Sequence, residues 1–115
     1  LQFDEVERPP IHDETEKAHM QRHQWAADRM WEGLIGPAPI VWNRGADLLF
    51  ESPVKPHELE KYGGSAETVT MSRRIHQLSA NATVVSDPEE QREIYAEFIA
   101  NCGSCHMELG ISTAR

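Results

Sequence analysis

The sequence predicts an all-α fold, an antiparallel four-helix bundle formed by a single domain. Helix-forming stretches carry apolar residues at spacings of three and four, Pro, Gly and capping residues separate these stretches, and no alternating strand pattern competes with them. The 115 residues suffice for one hydrophobic core but not two. Because the connections are short, consecutive helices are expected to run antiparallel. We therefore expect an extended acidic lead-in over residues 1–12, broken at Pro9-Pro10, and the bundle over residues 13–115.

The first helix is predicted to run from a cap at Asp13 to about Ile35. Asp13 and Glu16 have the spacing of an N-cap and its return partner, and Gly36-Pro37 ends the helix. A stripe of residues at spacings of three and four is expected to face inward. Its members are Met20, His23, Ala27, Met30 and Leu34.

The two middle helices are predicted on either side of a Pro- and Gly-rich loop over residues 51–64. The second covers residues 38–50, and its expected buried positions are Ile40, Val41, Leu48 and Leu49. The third runs from a Ser65 cap to about Thr83. Its expected inward positions are Val69, Ile75 or His76, and Ala80.

The fourth helix has the clearest signals in the chain. Asp87 stands at the cap position, Pro88 at the first helical position, and Glu90 at the position of the capping-box partner. The helical pattern then continues into the stretch CGSCH, which places that stretch on the last helix of the bundle.

Cys102, Cys105 and His106 form the pattern C-x-x-C-H, the attachment signature of c-type haem. On a helix, positions i, i+3 and i+4 share a face, so both thiols can reach the vinyl groups of one porphyrin while the imidazole reaches its iron. Gly103 and Ser104 are small enough to let the macrocycle edge approach the backbone. The motif therefore predicts one covalently attached haem c, with its iron, per chain.

Other uses of the cysteine pair are disfavoured. A thioredoxin-like redox pair requires a βαβ setting, and a structural zinc site requires four ligands, whereas the chain has only these two cysteines. The formal net charge of −8 argues against nucleic acid and anionic membranes, and favours a partner protein with a basic docking surface. No stretch approaches the about 20 apolar residues of a membrane span. The chain opens with Leu1 rather than Met, from which we expect a processed or truncated protein that has lost any signal peptide.

This layout resembles the class II cytochromes c, the cytochrome c prime family with its low-spin relatives. The resemblance rests on the haem motif of the last helix and on HMQRHQWAADRM (residues 19–30) in the first. The chain departs from the family at MELG (residues 107–110), where a Lys or Arg commonly follows the haem histidine, and at YGG (residues 62–64), which replaces a smoother connection. The resemblance implies a haem held between the helices and a periplasmic or otherwise exported location. It also implies a possible homodimer through the first helices.

The sixth iron ligand must lie upstream of the motif. Met107 neighbours His106 and cannot pass around the porphyrin rim to the opposite face of the iron. The candidates are Met20, His23, Met30, Met71, His19 and His76. Low-spin class II cytochromes use a methionine from the early part of helix one, so the resemblance favours Met20, while His23 and an open site remain alternatives.

Two functions from different classes follow from these alternatives. A six-coordinate haem predicts single-electron transfer, whereas a five-coordinate haem predicts binding or sensing of small gases such as nitric oxide or carbon monoxide. No enzymatic role is expected, because nothing specifies a proton donor and substrate cavity over the iron. Tyr95 and Ile99 share the helix face of Cys102 and His106, so both are expected against the porphyrin.

Overall fold

The computed structural model describes residues 16–55, 59–60 and 63–110, and the described part of the chain is helical without strands. Its four long helices are α1 (Glu16–Ile35), α2 (Pro39–Glu51), α3 (Ala66–Ala82) and α4 (Pro88–Leu109). The predicted all-α fold with four helices is thereby confirmed. The lead-in over residues 1–12 and the cap at Asp13 lie outside the described residues. Within the described residues no helix has both the length and the apolar character needed to cross a membrane.

Local capping sets the ends of α3 and α4. The Thr68 N–H donates to Ser65 Oγ at 3.4 Å, and the Ser65 N–H donates to Thr68 Oγ1 at 2.8 Å, which completes a reciprocal capping box. The Asp87 carboxylate accepts from the Glu90 N–H at 3.1 Å. Both predicted caps are confirmed. At the other end of α4, Gly110 has a φ of 68°, the left-handed conformation that commonly terminates helices.

Consecutive helices pack side by side. Gly33 of α1 lies against the backbone of Trp42 on α2. α2 also contacts α3. Trp42 Nε1 donates to the carbonyl of Ala82 at 2.9 Å, and the Phe50 ring stacks on the His76 imidazole of α3 with centroids 4.8 Å apart. The packing is most extensive between α1 and α2 and between α3 and α4, and is much smaller between α1 and α4. The seam between α1 and α4 is therefore the smallest of these helix contacts.

The buried face of α1 differs from the predicted stripe. Met30 is fully buried as expected, but Met20 remains 36% exposed, and His23, Ala27 and Leu34 are only partly buried. The side chains that are buried instead lie on an adjacent face; they are His19, Arg22, Trp25, Ala26 and Arg29. The stripe prediction is therefore right in part, since Met30 is buried and Ala27 and Leu34 pack against the core. The most deeply buried face is the adjacent one, where small residues of α1 and α2 bring these helices close together.

The middle helices show similar shifts. On α2, Val41 and Leu49 are buried and Leu48 is partly buried as predicted, but Ile40 is 64% exposed because it lies in the first turn, at the end of the bundle. On α3, Ile75 packs partly buried against the core. Val69 and Ala80 are only partly buried, and the buried positions are Thr68, Leu78, Ser79 and Ala82. The core-facing stripe of α3 thus differs by about one residue from the predicted one.

Gly45 is the closest point of contact between α2 and α1. A Cβ placed there would lie 2.4 Å from the carbonyl oxygen of Ala26 and 2.8 Å from Met30 Cγ. We expect Gly45→Ala to destabilise the protein by about 1–3 kcal/mol, because the helices must separate to relieve this overlap. Asn43→Ala, at an exposed position of the same helix, is the matched control and should stay within about 0.5 kcal/mol of wild type. Urea unfolding of both variants checks the expectation, and equal midpoints would contradict it.

Candidate functional site

The three residues of the cysteine–histidine motif lie on the final turns of α4. The helix continues unbroken through them to Leu109, so Cys102, Cys105 and His106 occupy positions i, i+3 and i+4 of one face. Cys105 is buried, whereas Cys102 and His106 are partly buried. Both cysteines are free thiols. The local geometry therefore directs two thiols and an imidazole to the same side of the helix.

Burial holds both thiols in their protonated form. Desolvation, with a smaller contribution from the nearby Cys105 sulfur, raises the pKa of Cys102 to about 12. Desolvation also raises the pKa of Cys105. Thiol–disulfide enzymes require a lowered thiol pKa, because the thiolate is the reactive species. The environment of this cysteine pair is thus the opposite of a redox-active one.

One hydrogen bond marks where α4 faces α1. The Tyr95 hydroxyl donates to the carbonyl oxygen of Ala27 at 3.2 Å. Cys102 lies seven residues after Tyr95, and Met20 lies seven residues before Ala27. Seven residues are close to two helical turns, so Cys102 shares the face of Tyr95 and Met20 shares the face of Ala27. Met20 and Cys102 therefore both lie on the faces that border the α1–α4 seam.

Apolar side chains of this seam are left partly uncovered. Met20 is 36% exposed, and Ile99, which precedes Cys102 by three residues on the same face of α4, is 44% exposed. Gly103 borders open space, since a Cβ placed there would meet no atom within 4 Å. Beside the motif, Ile99 thus adds exposed apolar surface and Gly103 faces open space, while Cys102 packs against the hydrophobic core.

His23 faces a different neighbour from Met20. Its Nε2 contacts the carbonyl oxygen of Ser52, just beyond the end of α2, and His19 Nε2 lies 3.0 Å from the same oxygen. Arg22 Nε donates to Ser52 Oγ at 3.3 Å. The two imidazoles are 5.4 Å apart between centroids and inclined at 80°. The sequence did not predict that Ser52 and Arg22 belong to this cluster, although the spacing of four residues between His19 and His23 indicates that the two imidazoles share a helix face.

The remaining candidate ligands lie elsewhere. Met30 is fully buried in the core, where it packs beside Gly45 of α2, and His76 stacks on Phe50. Met71 is partly buried on α3. Met107 is 84% exposed. Across the described residues, no group of three or more His, Cys, Asp or Glu side chains is arranged to hold a metal ion.

Comparisons of this chain with protein-family models, with curated proteins and with solved structures gave no match.

Proposed function

We propose that this protein is a mono-haem c-type cytochrome that transfers single electrons. Cys102 and Cys105 would hold the porphyrin through thioether bonds, and His106 would bind its iron. The observation that carries the proposal is the C-x-x-C-H motif on an unbroken helix whose contact with α1 is small. When bound, the haem supplies the one-electron couple. The chain's own residues position it, cover its apolar faces and select what approaches the iron.

The residues around the motif fit a porphyrin. Both cysteines and His106 share a helix face, and the open space at Gly103 permits close approach of the macrocycle edge. Met20 and Ile99 would lose their exposure to water against the ring, which stabilises the bound group by burial of apolar surface. Tyr95, as predicted from the sequence, would then line the same crevice.

Met20 is the proposed sixth ligand. In the expected antiparallel order, the Tyr95–Ala27 bond supports a position of Met20 at the level of Cys102, since each lies seven residues away toward one end of the bundle. Met20 would then face the motif across the seam. The His23 imidazole contacts the Ser52 carbonyl at the end of α2, so its contact favours Met20 over His23 as the iron ligand.

A six-coordinate iron favours electron transfer over gas binding. A thioether from Met20 would occupy the distal position and keep small molecules from the iron. The net charge of −8 supports docking to a partner with a basic surface, which speeds association by electrostatic steering. We propose an exported or periplasmic location, as the family resemblance implies, and no enzymatic activity. The alternative of a five-coordinate gas-binding haem is supported by one observation, that Met20 lies partly at the surface.

The first test is covalent haem attachment. We expect the chain, produced with a haem attachment system, to show an intact mass greater than that of the polypeptide by one haem, and to keep its colour after acid–acetone extraction. The variant Cys102→Ser/Cys105→Ser is the matched control and should release any haem into the organic phase, because it lacks both thioether bonds. A wild-type mass equal to the bare polypeptide would overturn the proposal.

A further inference from the structure

We infer that His19, His23 and the carbonyl oxygen of Ser52 form a binding site for a divalent transition-metal ion, distinct from the haem motif. Both imidazoles contact the same oxygen through Nε2, so three potential donor atoms converge on one region of the protein. The histidines are four residues apart on α1 and therefore lie on one helix face. His19 and Ser52 are buried, which limits the mobility of two of the three donors.

Both imidazole contacts with the Ser52 oxygen are hydrogen bonds, with His19 Nε2 at 3.0 Å and His23 Nε2 on the same oxygen. Donor atoms bound tetrahedrally at zinc distances lie about 3.4 Å apart, so an ion would replace these hydrogen bonds and the imidazoles would rotate away from the oxygen to admit it. The ring centroids are 5.4 Å apart, close to the separation of about 5 Å expected for two imidazoles on one tetrahedral ion.

The donor set selects the class of ion. Imidazole nitrogen suits zinc, copper and nickel, whereas magnesium prefers six oxygen ligands. With two imidazoles and one carbonyl, a four-coordinate ion keeps one position open for water or a small anion. Arg22 donates to Ser52 Oγ and so helps to hold the Ser52 side of the site in place. We therefore expect an exchangeable ion rather than a closed structural centre.

The proposed haem ligation does not involve His19 or His23. With Met20 on the iron, His19 and His23 remain directed to the end of α2, on another face of α1. The inference does not depend on the haem being present, because none of its donors belongs to the motif on α4.

Zinc titration of the full chain, in the form in which it is isolated, tests the inference. We expect isothermal titration calorimetry to show one Zn²⁺ bound per chain and no Mg²⁺ bound. His19→Ala and His23→Ala should each weaken zinc binding at least tenfold, since removing even an outer partner of a metal site costs about 10–100-fold in affinity. His76→Ala removes an imidazole on α3 and is the matched control, expected to bind as wild type. Far-ultraviolet dichroism establishes that all three variants are folded.

The inference would be overturned if the wild type bound no zinc, or if both His19→Ala and His23→Ala kept wild-type affinity. A visible spectrum of the same samples separates it from the proposed function. If His23→Ala turns a low-spin haem high-spin, His23 is an iron ligand and the metal site is refuted while the cytochrome stands. If the chain carries no haem but the histidine variants alone lose zinc, the cytochrome is refuted while the metal site stands.

Discussion

Replacing Met20 with Ala is expected to change the haem iron from low-spin to high-spin and to open it to carbon monoxide. A strong axial ligand from thioether sulfur pairs the d electrons, and the methyl group of Ala cannot replace it. Met20 is the candidate that borders the α1–α4 seam on the face of Ala27, whereas Met30 is enclosed in the core. Visible spectra of the oxidised and reduced variant, with and without carbon monoxide, measure the change.

His23→Ala is the matched control for this experiment. We expect it to leave the spectrum low-spin, although it loses the contact with the Ser52 carbonyl. The reverse pattern would make His23 the ligand and the site bis-histidine, which would also lower the potential, since imidazole favours ferric iron more than thioether does. If the wild-type protein is already high-spin and takes up carbon monoxide or nitric oxide, gas binding replaces electron transfer as the proposed function.

Trp42→Ala is expected to remove much of the stability of the fold. The side chain is fully buried between α1 and α3, and its Nε1 donates to the carbonyl of Ala82. Truncation of a buried Trp leaves a cavity and costs about 3–5 kcal/mol, a large part of the about 5–15 kcal/mol that stabilises a typical domain. Urea unfolding of wild type and variant in the same haem state measures the loss.

Trp31→Ala provides the comparison on the same scale. Trp31 is also a tryptophan on a helix, but it is 51% exposed, so its removal should lower the free energy of unfolding by only about 1–2 kcal/mol. A loss at Trp31 as large as that at Trp42 would contradict the burial described for the two side chains.

Local chemistry made the helices and their caps predictable. Each of the caps at Ser65 and Asp87 joins a side chain to a backbone N–H three residues away. Because both partners lie in one short segment, the sequence of that segment is enough to predict the cap. The placement of Cys102, Cys105 and His106 on one face is equally local, since it requires only that α4 be a helix. The proposed attachment of haem follows from that local pattern.

The sequence by itself thus determined four helices, their boundaries to within a few residues and the common face of the cysteine–histidine motif. Only the tertiary structure decided which side of each helix is buried. Met20 and His19 are neighbours in sequence, yet Met20 is partly exposed and His19 is buried, because Gly33 and Gly45 let α1 and α2 approach closely along one particular face. The convergence of His19 and His23 on Ser52 has the same origin. His19 and His23 lie 33 and 29 positions before Ser52 in the sequence, and helical periodicity does not predict contacts between different helices.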